Sequence, residues 1–178
     1  GIDTIEHASL VDDEGIKLAA ARARPVWFSM DIYNTEYTQA EGAKNGVLED
    51  NLRKDREVAQ IQRDNFRKAH KAGVKMVYGT DAVAGAHGEN GTDLTCRVQK
   101  NGEAAVDIIT SATSLSAESM GLGKEVGRIA VGYQADLVSF DGDPRTDPMA
   151  FQRVAFVMRG GHVHRAPPSF AGPRRRYP

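Results

Sequence analysis

The sequence has little cysteine, almost no net charge and no long hydrophobic run. A single cysteine, Cys96, excludes an intramolecular disulfide and a multi-cysteine zinc site, and we expect it to be a small buried residue. A formal net charge of -1 gives no general attraction to nucleic acid or to an anionic membrane. No apolar run approaches the roughly 18 residues of a membrane span. The composition therefore favours a globular protein that recognises its ligand locally, with neither nucleic acid nor membrane as a partner.

The first 120 or so residues alternate between short apolar segments and amphipathic segments. The pattern predicts strands at 4–10, 26–30 and 74–78, and helices at 12–24, 48–71 and 103–120. Residues 31–47 are polar and contain two glycines, so we expect them to form a long loop. Strands that alternate with helices are typical of βαβ units with a parallel sheet, and the predicted fold class is α/β.

The pattern changes after Gly121. Short apolar runs at 127–141 and 154–165 are separated by glycine turns with no helical repeat between them, which predicts a small antiparallel β unit. We therefore expect an α/β part over 1–122 and the β unit over 123–165. The proline-rich tail at 166–178 is expected to be disordered.

Two polar residues follow predicted strands of the α/β part. His7 comes at the end of the first strand and Asp81 at the end of the third. The carboxyl ends of parallel strands meet at one edge, where catalytic residues collect. Imidazole and carboxylate are both ligands for Zn²⁺, and a carboxylate beside such an ion can accept a proton from the attacking water. Each residue alone also fits a structural role, His7 in a hydrogen bond and Asp81 in a turn.

Several motifs together resemble a known family. The second half of amidohydrolase-superfamily enzymes is similar to Ile5-Glu-His7, Tyr78-Gly-Thr-Asp-Ala82, the segment 127–138 and Val157-Met-Arg-Gly-Gly161. The prolidase-like and Xaa-Arg/Xaa-Lys carboxypeptidase-like branch is similar to Met30-Asp-Ile-Tyr-Asn34, the segment 65–74 and His87-Gly-Glu-Asn90. The resemblance covers about residues 1–165, and the ordered set of motifs is more specific than any one of them.

The resemblance implies both a fold and an activity. Residues 1–122 would be the C-terminal part of a (β/α)₈ TIM barrel, strands six to eight, and residues 123–165 the C-terminal strands of a small β-sandwich. The activity would be metal-dependent hydrolysis of amide bonds in dipeptides or N-acyl amino acids, with one or two divalent ions such as zinc.

The resemblance also implies roles for four residues. His7 would be a metal ligand at the end of barrel strand six. Asp81, at the end of strand eight, would contact the metal and act as general base and acid. Tyr33 and His87 would bind the substrate from the loops after strands seven and eight.

Other metal ligands of the family have no counterpart here. The strand-one His-x-His pair, the strand-four lysine and the strand-five histidine would belong to strands that this sequence lacks. The pair in His162-Val-His164 follows a Gly-Gly turn of the β unit, so we expect it to lie on an exposed strand face and not to bind the metal. We therefore expect the chain to be a fragment of a longer amidohydrolase, with doubtful activity by itself.

Two alternatives stay open from the sequence. One is a cyclic-amide hydrolase of the same superfamily, similar to imidazolonepropionase. The other is a half-barrel without catalytic activity, retained as a binding module. The expected partner is a small peptide or an N-acyl amino acid; a homo-oligomer stays open, and so does the compartment.

Overall fold

The computed structural model describes residues 1–82 and 87–172. In chain order the elements are β1 (Thr4–Glu6), α1 (Asp13–Ala20), β2 (Trp27–Ser29), α2 (Tyr33–Glu41), α3 (Glu49–Lys71), β3 (Lys75–Val77), α4 (Asn90–Gln99), α5 (Ala105–Thr110), a π-helical turn (Ser111–Leu115), α6 (Ser116–Ser119), β4 (Leu137–Phe140), a 3₁₀ helix (Pro148–Gln152), β5 (Val154–Arg159) and β6 (His162–Arg165). Among these described segments, none of the helices combines the length and the apolar character that a membrane crossing needs.

The first three strands form a parallel sheet in the order β1-β2-β3. The register pairs Thr4 with Trp27 and Trp27 with Lys75. Phe28 of β2 and Phe66 of α3 are both fully buried, and they belong to one apolar core that includes residues of β3 and α1. The mixed α/β class and the parallel sheet predicted from the alternating pattern are confirmed, although each strand is shorter than predicted.

Helix α3 follows its sequence pattern closely. The apolar positions Leu52, Phe66 and Ala69 are buried, whereas most charged positions between them are exposed. The helix ends at Lys71 and is followed, after Ala72, by Gly73, whose φ of 81° lies in the left-handed region that glycine tolerates. This long amphipathic helix therefore covers one face of the parallel sheet, as its 3.6-residue period predicts.

The loop predicted over residues 31–47 is wrong, because Tyr33–Glu41 forms helix α2. This helix has no apolar stripe for a periodicity argument to detect. It packs on α3 through polar groups instead: the Thr35 hydroxyl donates to the Gln62 side-chain oxygen at 3.0 Å, and Glu36 forms an ion pair with Arg63. Contacts with residues of α3 that lie 27 positions later in the sequence therefore stabilise this helix, and its local composition does not predict it.

Two further differences concern the segment before Gly121. Helix α4 had not been predicted, since its sequence is polar and follows a glycine-rich run. The single helix predicted over 103–120 is divided into α5 and α6 by the π-helical turn. Gly121, with a φ of 75°, ends the last of these helices, as the sequence indicates.

The second sheet is antiparallel, in the order β4-β5-β6, as the glycine turns predict. Only the end of the apolar run at 127–141 is a strand; Ile129 and Val131 before it are exposed. In the predicted tail, the Phe170 ring lies 5.4 Å from the Phe156 ring, while residues 173–178 lie outside the described residues. The predicted domain boundaries stay a prediction.

Candidate metal and catalytic site

Three side chains meet at the carboxyl end of the parallel sheet. His7 follows β1, Asp31 follows β2 and Asp81 follows β3, so the parallel arrangement brings all three to one edge. His7 Nδ1 lies 2.8 Å from Asp31 Oδ1, and His7 Nε2 lies 3.8 Å from Asp81 Oδ2. The structure thus brings together the two residues predicted as metal ligands. It adds Asp31, which is not among the predicted site residues, although an aspartate soon after a buried strand is the same signal that indicates Asp81.

The contact with Asp31 orients the His7 ring. The Asp31 side chain is only 6% exposed, whereas that of His7 is 52% exposed. An ionised carboxylate only accepts hydrogen bonds, so in the neutral imidazole His7 Nδ1 donates and Nε2 keeps its lone pair on the side that faces Asp81. The hydrogen bond to Asp31 is the main cause of a raised pKa of His7, which burial partly opposes. Metal-binding histidines typically have such a partner on the second nitrogen, which fixes the tautomer and increases the basicity of the ligand.

The backbone at this edge is in an unusual conformation. His7, Ala8 and Asp81 have φ values of 63°, 46° and 43°. These values lie in the left-handed region, which residues other than glycine rarely adopt. The His7 amide donates to the Ser29 carbonyl at 2.7 Å, which ties the first residue after β1 to β2. Non-glycine residues held in this region cost stability and cluster at functional sites.

A small cavity opens between the three side chains. Its volume is about 240 Å³, and its lining consists of Glu6, His7, Ser29, Asp31, Gly79 and Asp81. A Cβ at Gly79 would lie 2.5 Å from Ser29 Oγ, so a larger residue at this position would displace the Ser29 hydroxyl from the cavity wall. The cavity has room for an ion and a group of a few atoms, with carboxylate and imidazole on its wall.

The two predicted substrate-binding residues lie outside this wall. Tyr33 is the first residue of α2, not part of a loop, and its ring lies 6.0 Å from that of Tyr37. Burial is the main cause of a raised pKa of the Tyr33 hydroxyl. His87 is exposed in the turn before α4, directly after residues 83–86, which lie outside the described residues. Contact of either residue with a substrate stays a prediction.

The coordination geometry of zinc limits how far apart two donor atoms can lie. Two atoms that bind one zinc ion at about 2.1 Å each can be no more than about 4 Å apart. The 3.8 Å between His7 Nε2 and Asp81 Oδ2 meets that limit, and both atoms are of the right kind. Within residues 1–82 and 87–172, however, no group of three or more histidine, cysteine or acidic side chains is arranged to hold a metal. This edge therefore offers two atoms whose chemistry and spacing are compatible with a zinc ion.

The His-x-His pair lies elsewhere. His162 and His164 are on β6 of the antiparallel sheet, and both are exposed. His162 Nδ1 lies 3.1 Å from the Gly160 carbonyl oxygen, in its own turn. The exposed strand face expected for this pair is confirmed.

Fold and edge together define a mixed α/β protein with a polar cavity at the carboxyl ends of parallel strands, where such folds bind their ligands. The model of the amidohydrolase family matches residues 1–164, and the chain belongs to that family. The resemblance drawn from the motifs is thereby confirmed.

The chain is similar in sequence and in structure to several named hydrolases. Ochratoxinase from Aspergillus niger is 26% identical over 171 residues, which are 94% of this chain and 35% of the relative. A prolidase crystallised with N-methylphosphonate-L-proline has a TM-score of 0.85 at 29% identity, over 93% of this chain and 41% of that one. A Xaa-Pro dipeptidase with bound methionine has a TM-score of 0.82 at 30% identity, over 93% of this chain and 40% of that one. The chain thus spans well under half the length of each of these relatives.

Proposed function

We propose that the edge formed by His7, Asp31 and Asp81 serves in metal-dependent hydrolysis of an amide bond. One observation supports this most strongly: His7 Nε2 and Asp81 Oδ2 are 3.8 Å apart while Asp31 holds the other nitrogen of the ring. A histidine used only for packing needs neither an open second nitrogen nor a carboxylate opposite it. The site as a whole is assembled for a ligand between the ring and the carboxylate.

In this proposal β1, β2 and β3 are strands six, seven and eight of a (β/α)₈ barrel. Their parallel order and the similarity to prolidase structures support that numbering. The sheet β4-β5-β6 would be the C-terminal part of the small β-sandwich. Catalytic groups of such barrels lie at the carboxyl ends of the strands, where His7 and Asp81 are found.

Each residue of the edge has a distinct role. His7 and Asp81 would hold a divalent ion, zinc in the first instance, which when bound would polarise the amide carbonyl and acidify a water molecule. Asp81, whose side chain is 57% exposed, would accept the proton of the attacking water and return it to the leaving nitrogen. Asp31, buried beneath the ring, would keep Nε2 of His7 directed at the ion.

The proposed substrates are dipeptides and N-acyl amino acids. The names of the relatives, a prolidase, a Xaa-Pro dipeptidase and an ochratoxinase, support an amide bond next to an amino acid. Tyr33 and His87 are proposed to contact the substrate beyond the cavity. Their positions at the start of α2 and just before α4 place them on the two connections that follow β2 and β3.

Zinc binding to the chain tests the metal part of the proposal. Replacement His7→Ala should weaken Zn²⁺ binding, measured by titration calorimetry, by about tenfold or more, since even the partners of metal ligands have effects of that size. His162→Ala is the matched control, because it removes an exposed histidine from the antiparallel sheet. Equal zinc affinity in the two variants would contradict the assignment of His7.

A panel of substrates tests the reaction, in a protein that joins this chain to the strand-one, strand-four and strand-five ligands of the family, because the described residues of this chain offer only two donors. Zinc-dependent release of the amino acid is expected from Xaa-Pro, Xaa-Arg or N-acyl amino acid substrates, and not from cyclic amides. Preference for a cyclic amide would instead support the imidazolonepropionase-like alternative. Zinc binding through His7 without turnover of any substrate would favour a binding module.

A further inference from the structure

A buried ion pair on α4 lies behind the candidate site. Asp93 and Arg97 are both completely buried, and Arg97 Nε donates to Asp93 Oδ2 at 2.8 Å. The Arg97 guanidinium also lies 5.1 Å from the centre of the Phe66 ring and 5.3 Å from that of Tyr78. Its Nη1 atom has no hydrogen-bond partner in the described part of the chain, and the two rings lie beside the guanidinium.

The pair holds the backbone on both sides of Asp31. Arg97 Nη2 donates to the carbonyl of Met30, the residue before Asp31. Asp93 Oδ1 accepts from the amides of Ile32 and Tyr33, the two residues after it, at 2.8 Å each. Asp31 is therefore fixed between two anchors that come from one helix, more than sixty residues later in the sequence.

The same helix reaches the end of β3, where Asp81 lies. The Tyr78 ring rests against Arg97, and its hydroxyl donates to the Asn90 carbonyl at 2.5 Å. The Asn90 side chain in turn donates to Thr80 Oγ1 at 2.9 Å, next to Asp81. Helix α4 thus contacts both connections that carry the carboxylates of the site.

Stability alone does not explain this arrangement. A buried ion pair is weak evidence for stability, because desolvation of both charges offsets their attraction. Here the charges are directed at backbone groups that flank Asp31, and a charged group makes such hydrogen bonds strong and directional. We infer that Asp93 and Arg97 are positioning residues: they place Asp31 so that it holds His7 with Nε2 facing Asp81. The consequence for catalysis rests on the proposed function, whereas the placement itself does not.

The variant Arg97→Lys tests this in the full chain. Lysine keeps the charge but lacks the planar fork that reaches Asp93 and the Met30 carbonyl together. Arg63→Lys is the matched control, since it weakens the ion pair between α2 and α3 that Glu36 forms, without touching residues 30–33. Two quantities are measured by NMR: amide hydrogen exchange at Ile32 and Tyr33, and, at alkaline pH, which His7 nitrogen carries the proton.

In Arg97→Lys, exchange at Ile32 and Tyr33 should rise about tenfold or more beyond any change shared with the whole chain, as expected for weakened hydrogen bonds to a charged group. The Nδ1–H tautomer of His7 should lose population. Arg63→Lys should change neither. If both variants keep the His7 tautomer and exchange at the two amides follows global unfolding alone, the inference is overturned.

A second variant covers the case in which Arg97→Lys does not fold. Asp93→Asn keeps the side-chain size and one acceptor oxygen but removes the charge that Arg97 and the two amides share. It should give the same two changes with smaller amplitude, and unchanged values would again overturn the inference. Because neither measurement uses metal or substrate, failure of the positioning role and failure of the proposed hydrolysis would be told apart.

Discussion

The two sheets of the chain differ in which residues have left-handed backbone conformations. At the carboxyl edge of the parallel sheet, His7, Ala8 and Asp81 adopt left-handed φ values although none is glycine. In the described segment from 123 to 165, which contains the antiparallel sheet, the residues with positive φ are all glycines, among them Gly160 and Gly161 of the β5–β6 turn. Glycine takes this conformation without steric cost, whereas the residues at the parallel edge take it at the expense of stability.

The burial of charged side chains also differs between the two parts of the chain. In the α/β part, Asp31, Asp93 and Arg97 are buried and make specific hydrogen bonds. In the antiparallel part, pairs such as Asp143 with Arg145 lie on the surface. Among the described residues, non-glycine left-handed backbone and buried charged side chains thus occur in the α/β part and are not found in the antiparallel part.

The largest expected effect comes from removing the carboxylate of Asp81. Asp81→Asn should lower the rate of dipeptide hydrolysis by about 10²- to 10⁴-fold, the usual contribution of a general base. Asparagine tolerates left-handed φ values, so the fold should remain intact, which circular dichroism would check.

The control for this variant comes from the antiparallel sheet. Asp136 Oδ1 accepts from the Gly160 amide at 2.6 Å, and asparagine keeps that acceptor oxygen. Asp136→Asn should therefore leave the hydrolysis rate unchanged. Equal loss of rate in both variants would mean that general destabilisation, and not chemistry at Asp81, accounts for the effect.

The sequence predicts those parts of the fold that depend on local patterns. Helix α3 has an apolar position at nearly every turn, and β2 and β3 lie in apolar runs bounded by turns, so their type could be predicted. His7 and Asp81 could be predicted as site residues because both follow such strands directly. Their closeness in space then follows from the parallel sheet.

The rest depends on contacts between distant residues. Helix α2 begins where Asp93 accepts the amides of Ile32 and Tyr33, about sixty residues away in sequence, so no local signal marks its start. Asp93 and Arg97, four residues apart on a helix, have the spacing of a solvated surface pair, yet both are fully buried. From the sequence alone, charged residues with this spacing are expected on the surface, and only the tertiary structure reveals that this pair is buried.

The second prediction uses pH to compare a buried with an exposed carboxyl group. Burial raises the pKa of Glu103 to about 7 from the usual 4.5, although Arg97 opposes the shift. The folded state therefore holds this proton more tightly than the unfolded state, and the stability gained is complete below pH 4.5 and is lost as the pH rises through about 7. Glu103→Gln removes this loss, and at pH 8 it should raise the free energy of unfolding by on the order of 2 kcal/mol relative to the parent.

Asp143 gives the contrasting case. Its hydrogen bonds with Arg145 lower its pKa to about 2, so its contribution is present above the usual 3.8 and is lost only as the pH falls below that value. Asp143→Asn should therefore show no pH-dependent difference from the parent between about pH 5 and pH 8. Urea unfolding at both pH values measures the two variants, and a Glu103→Gln difference that does not grow with pH would contradict the assigned pKa.

The smallest expected effect compares the cost of a left-handed φ at a non-glycine residue with its cost at a glycine. Ala8→Gly should stabilise the chain by about 1 kcal/mol, because it relieves a left-handed conformation at the parallel edge. Gly132→Ala should destabilise it by about the same amount, since Gly132 has a φ of 89° and a Cβ there would meet no atom within 4 Å, so that backbone strain is the whole cost. Opposite shifts in thermal midpoint would support backbone strain at Ala8 and its absence at Gly132. Destabilisation by Ala8→Gly would mean that the Ala8 side chain, 9% exposed in the core, contributes more by packing than its backbone costs.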